Sequence, residues 1–149
     1  MSEAVIGLTK LFNRLVRMKR KSSDMTPALK AAGVYMLGSI EKNFRAQGRP
    51  TKWTGLSKAT LARRRRGRGK GSPQILIDKA RLKNSMTTRE TSDTLQIGTN
   101  VVYAARHHFG YPGGTGRGRS KTPARPFLMF QKEDAKAIEK IFNRHLSKA

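Results

Sequence analysis

The chain has 149 residues, enough for one domain that removes roughly 68–70% of its unfolded surface from water on folding. Only 36% of the residues are hydrophobic, and 32 Lys and Arg stand against 9 Asp and Glu, which gives a formal net charge of +23. Such a charge repels itself unless something anionic lies nearby, so nucleic acid or an acidic protein surface is the expected partner. The absence of cysteine excludes disulfides and thiol chemistry.

Membrane insertion and secretion are not indicated. The apolar runs, such as 127–130, are far shorter than the ~20 residues of a spanning helix. Residues 1–20 are basic and amphipathic, but Lys10 and Arg14 interrupt them before a secretory core of ~7–15 apolar residues could form. We therefore expect no membrane partner and interpret residues 1–20 as part of the mature structure.

Residues 3–46 have the spacing of two N-terminal helices. Apolar residues recur every three or four positions as far as Met18, which predicts the first helix. Thr26 is a good N-cap and Pro27 a good first residue for the second helix, which we expect to run to about Phe44. Its predicted buried face consists of Leu29, Ala32, either Tyr35 or Met36, Ile40 and Phe44.

Three glycines add to the description of this second helix. Gly48 stands just beyond its expected end, where glycine commonly terminates a helix. Gly33 and Gly38 lie inside it, where each costs about 1 kcal/mol relative to Ala. We therefore expect both to allow close packing against another element.

Residues 50–130 are predicted to form an α+β core. Ser57 can cap a short helix through Leu61. The stretch 63–73 is too charged and too rich in glycine to bury anything, and it is predicted to be a mobile basic loop. Beyond it we expect a strand or docking segment at 75–77, a short helix at 81–85, and a hairpin of strands 86–89 and 95–97 joined through 90–93.

The last part of the chain alternates between helix, loop and strand. The predicted elements are a helix at 101–109 closed by Gly110, a glycine-rich loop at 110–122, a strand at 127–130 and a helix at 133–146. The fold class is therefore α+β: a small antiparallel sheet packed with long N-terminal helices and a C-terminal helix, with long basic loops. We expect a single domain over residues 1–149.

Five short segments carry a resemblance to a known family. In chain order they are Trp53-Thr54-Gly55-Leu56-Ser57, Ile75 to Ser85, Ile97 to Asn100, Tyr103 to Gly110 and Pro123 to Leu128. Each alone is a weak signal, but their order along most of the chain raises the specificity considerably. Together they resemble the phage virion morphogenesis family, whose members include tail-completion proteins. One departure is Lys79-Ala80, where the family usually has Thr-Gly, and Ala80 cannot adopt positive φ as easily as glycine.

The resemblance marks a set of positions that we interpret as structural: Trp53, Leu56, Tyr103, His107, Gly110, Pro123, Arg125, Pro126 and Phe127. Trp53 is predicted to be a core anchor rather than a base-stacking platform. Arg125, between two prolines, is predicted to donate an interior hydrogen bond or to form an ion pair.

The same resemblance implies a function without catalysis. We expect a phage structural or assembly protein that finishes the tail end and joins it to the head, located in the virion at the tail or head–tail junction after synthesis in the host cytoplasm. The implied partners are other neck or tail proteins and further copies of the chain in a ring, with non-specific contact to genomic DNA. No cofactor or small-molecule substrate is expected.

Basic side chains outside the motif are candidates for contact with DNA phosphates or with an acidic partner, because arginine presents a planar fork of donors. They are Arg63, Arg64, Arg65, Arg66, Arg68, Lys70, Arg117, Arg119 and Lys121. A merely solvated loop is the simpler alternative. The glycine-rich stretch 113–118 lacks the Gly-Lys-Ser/Thr ending of a phosphate-binding loop, so we interpret it as a flexible assembly loop.

His107 and His108 invite a metal or general-base interpretation, which the sequence does not favour. Adjacent helical residues point about 100° apart. His145 is the only other histidine, and no carboxylate lies between Thr94 and Lys132. No catalytic or metal site is therefore expected. We assign His107 a structural bond from a ring nitrogen to a nearby backbone carbonyl.

Two other function classes remain as alternatives. A general nucleic-acid-binding protein of the ribosome- or nucleoid-associated type would have the same charge, since phosphate neutralisation requires only clustered Lys and Arg. The ordered motif set favours the virion family over it. A nuclease would need clustered carboxylates for metal ions, and nine scattered acids argue against that.

Overall fold

The computed structural model describes residues 15–16, 24–66, 72–115 and 120–147. Its helices and strands, in chain order, are α1 Thr26–Ala46, α2 Lys58–Arg66, α3 Arg81–Asn84, β1 Thr87–Glu90, β2 Leu95–Gly98, α4 Ala104–Phe109 and α5 Lys132–Ser147. The two strands form a small antiparallel sheet, which confirms the α+β class. No helix in these ranges is long and apolar enough to cross a membrane.

The chain divides into two compact units. One takes its described residues from 1–39, 87–97 and 130–149, and the other consists of the described parts of 40–86 and 98–129. Helix α1 contributes residues to both. The single domain expected from the chain length stays a prediction.

The first unit is built on the apolar faces of α1 and α5. Buried side chains of α1, among them Leu29, Ala32 and Met36, pack with Ile138 and Phe142 of α5. Their spacing of three and four residues turns one stripe of each helix towards this core. The predicted face of α1 is confirmed, with Met36 buried and Tyr35 packed at the margin of the cluster.

The hairpin of β1 and β2 approaches α1 closely at Gly33. A Cβ atom on Gly33 would lie 3.1 Å from Leu95 Cδ1 and 3.2 Å from side-chain atoms of Thr88 and Glu90. Because most real Cβ contacts are longer, a larger residue would push these side chains back by a few tenths of an ångström, and glycine permits the close packing that was predicted. The same prediction is wrong for Gly38, where a Cβ would meet nothing within 4 Å.

A buried carboxylate ties the start of α5 to α1. Asp134 is fully buried, and its Oδ2 accepts hydrogen bonds of 2.9 Å from Ser39 Oγ and 2.8 Å from the Gln131 backbone N–H. The second bond satisfies an N–H at the start of the helix, as in a capping box.

The start of α1 differs from the prediction. Thr26 lies inside the helix, and its N–H is capped by Asp24 Oδ1 at 2.9 Å. The Thr26 hydroxyl donates instead to the Thr91 carbonyl, 3.5 Å away. The hydrogen bonds from Thr26 lower the pKa of the Asp24 carboxyl, with a smaller contribution from His145.

The end of α1 is a Schellman motif centred on Gln47. The Gln47 N–H donates to the Phe44 carbonyl at 3.1 Å and the Gly48 N–H to the Asn43 carbonyl at 2.9 Å. Gln47 therefore occupies the left-handed position, with φ 54, while Gly48 has φ 110. A Cβ on Gly48 would lie 2.5 Å from the Thr51 carbonyl oxygen, so only glycine lets the chain turn back here.

The loops and strands predicted elsewhere need three corrections. Residues 63–66 belong to α2 and are helical, although a loop was predicted from residue 63. Residues 75–77 form a turn rather than a strand, with Ile75 and Leu76 buried as in a docking segment. Residues 127–130 are not a strand, because the carbonyl of Phe127 accepts from the Asn43 side chain and not from a neighbouring strand.

Other expectations agree with the structure or lie outside its described part. The hairpin, α3 and α5 are found within a residue or two of their predicted bounds, and α4 begins three residues later than predicted. Of the first predicted helix, Leu15 and Val16 are helical, and the remainder lies outside the described residues. The same holds for 67–71 and 116–119, which cover much of the two predicted basic loops.

Candidate anion-binding groove

Trp53 is part of an aromatic core in the second unit. Its ring meets the Phe44 ring edge-on at 5.9 Å, and Phe44 stacks on Phe127 at 5.5 Å. The indole Nε1 donates to the Pro126 carbonyl at 3.2 Å, and the side chain is only 8% exposed. Trp53 is therefore an anchor of the core, and its ring is not available for stacking on a base.

Arg125 is a buried cation that joins three motif segments. Its Nε and Nη2 donate to the carbonyls of Thr54 and Gly55, at 3.0 and 3.1 Å. Its backbone N–H donates to the His107 carbonyl at 2.8 Å. The side chain is 6% exposed, which confirms the predicted interior hydrogen-bond donor. Burial, followed by the positive charge of Arg64, lowers the pKa of the Arg125 guanidinium.

A groove with a volume of about 640 Å³ opens beside Arg125, within the second unit. Among the described residues, six cations line it: Arg63, Arg64, Lys79, Arg81, Lys121 and Arg125. In the same described part of the chain, Asp78 supplies the only lining carboxylate. Apolar side chains, including Leu56, Leu76 and Tyr103, form part of the walls. The arrangement suits an anion that also offers an apolar surface.

Arg64 builds one wall of this groove. Its Nη1 donates to the carbonyls of Ser72 and Gln74, at 2.6 and 2.8 Å. Its Nε lies 3.6 Å from Asp78 Oδ1, and the side chain is only 13% exposed. Arg64 therefore fixes the segment 72–78 against α2, a structural role that the prediction of a mobile basic loop did not anticipate.

Ala80 occupies the turn where the sequence departs from the family pattern. It adopts φ 55 and ψ 7, the left-handed conformation, immediately before α3. The Asn84 N–H donates to its carbonyl at 2.9 Å. Residue 80 therefore has the backbone conformation that glycine favours, and the methyl group of Ala80 is sterically unfavourable in it.

The two adjacent histidines are held within aromatic contacts. The His107 ring meets Tyr103 edge-on at 5.7 Å, and the His108 ring meets Phe127 edge-on at 5.1 Å. Nδ1 of each is buried without a hydrogen-bond partner. The ring bond expected for His107 is therefore not made through Nδ1, and it is the backbone carbonyl that accepts a bond, from Arg125.

Electrostatics keep both imidazoles neutral near pH 7. Burial lowers the pKa of His107, and the cations of Arg125 and Arg106 lower it further. Burial alone lowers the pKa of His108. Across the described ranges, no group of three or more His, Asp or Glu side chains is placed to hold a metal ion.

The structure brings together only some of the predicted contact residues. Arg63 and Lys121 are exposed at the groove, and Arg64 lies in its wall. Arg65 and Arg66 belong to the helical backbone of α2, but their side chains are not part of the described structure. The described residues do not include Arg68, Lys70, Arg117 and Arg119. Lys79 and Arg81 are exposed cations of the groove that the sequence interpretation had not proposed as contact residues.

Two further residues were missed. Arg106 donates to Thr122 Oγ1 at 3.0 Å and to the Ser120 carbonyl at 2.6 Å, beside the antiparallel bridge between Tyr111 and Thr122. Asn43 is fully buried, donates to Phe127 and accepts from Arg49. A polar residue on the apolar face of a predicted helix was the available signal for Asn43, since such groups must be hydrogen-bonded.

Comparisons with known proteins agree on one family. The model of the phage virion morphogenesis family matches residues 6–147. The chain is 32% identical over 121 residues to Mu-like prophage FluMu G protein 2 of Haemophilus influenzae, an alignment that covers 80% of this chain and 77% of that protein. No solved structure gives a significant match. The chain belongs to the phage virion morphogenesis family.

Proposed function

We propose that the protein is a tail-completion protein, which finishes the head-proximal end of the phage tail and joins it to the DNA-filled head. Family membership already gives a phage structural or assembly role and association with the virion. The tail-completion step and the place at the head–tail junction are the proposed parts.

The main support is the use that the second unit makes of its motif residues. Trp53 and Arg125 direct their side-chain hydrogen bonds to backbone carbonyls and hold distant segments together. Trp53 does not line the groove, and Arg125 is recessed in the groove wall at 6% exposure. The motif therefore builds a scaffold, and the exposed groove cations Arg63, Lys79, Arg81 and Lys121 are left to meet a partner. This division supports a function by binding.

The proposed partners are other neck or tail proteins and further copies of the chain, assembled as a ring. Closed cyclic symmetry is the usual arrangement of identical subunits, and a ring of this kind would leave a central passage for the genome. The net charge of +23 makes non-specific contact with genomic DNA an additional part of the proposal.

The proposal is tested by removing the protein and by locating it. Particles made without the chain are expected to accumulate as filled heads and unjoined tails, because the joining step is lost. Supplying the chain in trans should restore joined particles, and a label on it should appear at the head–tail junction in electron micrographs. Normal joined particles without the chain, or a label elsewhere, would contradict the proposal.

A nucleic-acid-binding function outside the particle is the second candidate, favoured by the six groove cations. In that case purified virions would lack the chain, although it bound duplex DNA with a strong salt dependence.

A further inference from the structure

We infer that the groove beside Arg125 binds an acidic peptide segment of another virion protein, one that carries carboxylates next to an apolar side chain. The inference rests on the proposed assembly function and specifies the class of partner that this site takes.

Within the described ranges, the positive charges around the groove are not balanced by carboxylates. Six cations face a single lining carboxylate there, and Asp78 is already paired with Arg64. Like charges held near one another in a partly buried site repel more strongly than in water. Burial, and next the positive charge of Arg64, lowers the pKa of the Arg125 guanidinium, so the two cations are close enough to repel each other. A bound carboxylate would relieve this repulsion. The Arg125 guanidinium could donate to that carboxylate while it keeps its hydrogen bonds to the carbonyls of Thr54 and Gly55.

The shape of the site favours a peptide over duplex DNA. A volume of about 640 Å³ lies within the ~300–1,000 Å³ range of sites that enclose a ligand. Arg125, at 6% exposure, is recessed in the wall, whereas phosphates on a convex duplex are reached by protruding side chains. Leu56, Leu76 and Tyr103 also present apolar surface, which a phosphate backbone would leave uncovered.

A second copy of this chain does not suit the site. Its nine acids are scattered, and the only two adjacent ones are Glu133 and Asp134. Asp134 is fully buried and bonded to Ser39 and Gln131, so it cannot enter a neighbour's groove. We therefore assign the acidic segment to a different protein.

A binding experiment on the full chain tests the inference. The probes are a fluorescent peptide in which Glu alternates with Leu, a peptide of equal charge in which Gly replaces Leu, and a duplex oligonucleotide. The expected result at physiological salt is saturable binding of the Glu/Leu peptide, with the Glu/Gly peptide weaker by about tenfold, because it lacks the apolar contact.

Charge reversal then locates the site. The double variant K79E/K121E is expected to weaken the Glu/Leu peptide by at least about tenfold, since like charges across an interface are strongly unfavourable. The matched control is K30E/K136E, which makes the same charge change at two exposed positions of the first unit. It should weaken binding by less than about threefold, in line with exposed long-range charge effects.

Several outcomes would overturn the inference. The first is that the Glu/Leu peptide shows no saturable binding. The second is that both double variants weaken peptide binding equally while their melting temperatures are unchanged. The third is that K79E/K121E loses binding to the duplex oligonucleotide alone, which would make this a DNA site. A photo-crosslinker at position 121 in assembled particles should capture an acidic protein segment. Capture of DNA, or of a segment without carboxylates, would also refute it.

The two proposals fail separately. A label at the head–tail junction together with failed peptide binding would leave the tail-completion function intact and remove only the inference about the groove. Peptide binding at the groove in a chain that is absent from virions would remove the tail-completion function and the virion origin of the partner, and would leave only the preference of the groove for an acidic peptide.

Discussion

The indole of Trp53 donates its hydrogen bond to the carbonyl oxygen of Pro126, 73 positions further along the chain. This bond joins the first motif segment to the last, and both meet around Phe44 at the end of α1. The turn at Gly48 brings Trp53 back towards the end of α1, where the Trp53 backbone N–H donates to the Gln47 carbonyl at 2.8 Å. The scaffold of the groove depends on this aromatic cluster.

Replacement of Trp53 tests that dependence. W53A should lower the free energy of unfolding by about 3–5 kcal/mol, since it removes a large buried ring and leaves a cavity. W53F retains a ring but leaves the Pro126 carbonyl without its donor, so it should cost less, about 1–3 kcal/mol. Urea titrations followed by circular dichroism give both values. An unchanged midpoint for W53A, combined with weaker binding to nucleic acid, would instead identify a stacking residue.

Sequence reasoning succeeded where one residue type serves one local purpose. The spacing of apolar residues correctly predicted the buried face of α1, and Gly33 correctly predicted close packing, which is with the hairpin. Ser57 was correctly predicted to cap α2, where its hydroxyl accepts from the Thr60 N–H. These features follow from helical periodicity and steric size. They do not depend on which distant segments meet.

The sequence-based prediction was wrong where the conformation of a residue depends on a partner that is distant in the chain. Arg64 looked like one of four equivalent arginines in a charged run, but its carbonyl acceptors and Asp78 lie in a segment that only folding brings near. Residues 127–130 have the composition of a strand, but the side-chain amide of Asn43 donates a hydrogen bond to the Phe127 carbonyl. The groove likewise combines residues from four separated stretches, which no local pattern could indicate.

Ala80 offers a route to a more stable protein. With φ 55, it sits in the conformation that glycine adopts without steric cost, so A80G should raise the free energy of unfolding by up to about 1 kcal/mol. The matched control is A31G, at an exposed position inside α1, which should lower it by about 1 kcal/mol. Paired thermal melts decide the matter. Equal destabilisation by both changes would mean that the left-handed turn is not retained in solution.

The two buried histidines should make stability depend on pH. Burial lowers the pKa of His107 and His108 in the folded state, so between the folded pKa and the unfolded value of about 6.5 the unfolded chain binds more protons. Their contribution is therefore complete above about pH 6.5 and is lost as pH falls through the folded pKa. The exposed carboxyls of Asp24 and Glu41, whose pKa values are lowered, act only in a more acidic range.

Denaturant titrations of the wild type and of H107N/H108N between pH 7.5 and pH 5 measure this effect as the change in the free energy of unfolding with pH. The wild type should lose stability across this interval, whereas the double variant should change much less. Assembly of virions by the variant should fall only as far as its stability does. A stable, well-folded variant that failed to assemble would show a role for the histidines beyond structure.

The arginines of α2 should separate into a structural and an exposed class. R64A removes the donor that holds Ser72 and Gln74 and the partner of Asp78, so it should lower the free energy of unfolding by about 2–3 kcal/mol. R63A, one position away on an exposed side chain, should change it by less than about 0.5 kcal/mol.

If Arg63 meets DNA phosphates, R63A should also make the log–log dependence of duplex binding on salt shallower by about one unit, with no change of sequence preference. Fluorescence anisotropy over a range of salt concentrations measures that slope, and thermal melts measure the stability. Two arginines with the same effect on stability would refute the distinction, and a salt-resistant preference for one DNA sequence would contradict a purely electrostatic contact.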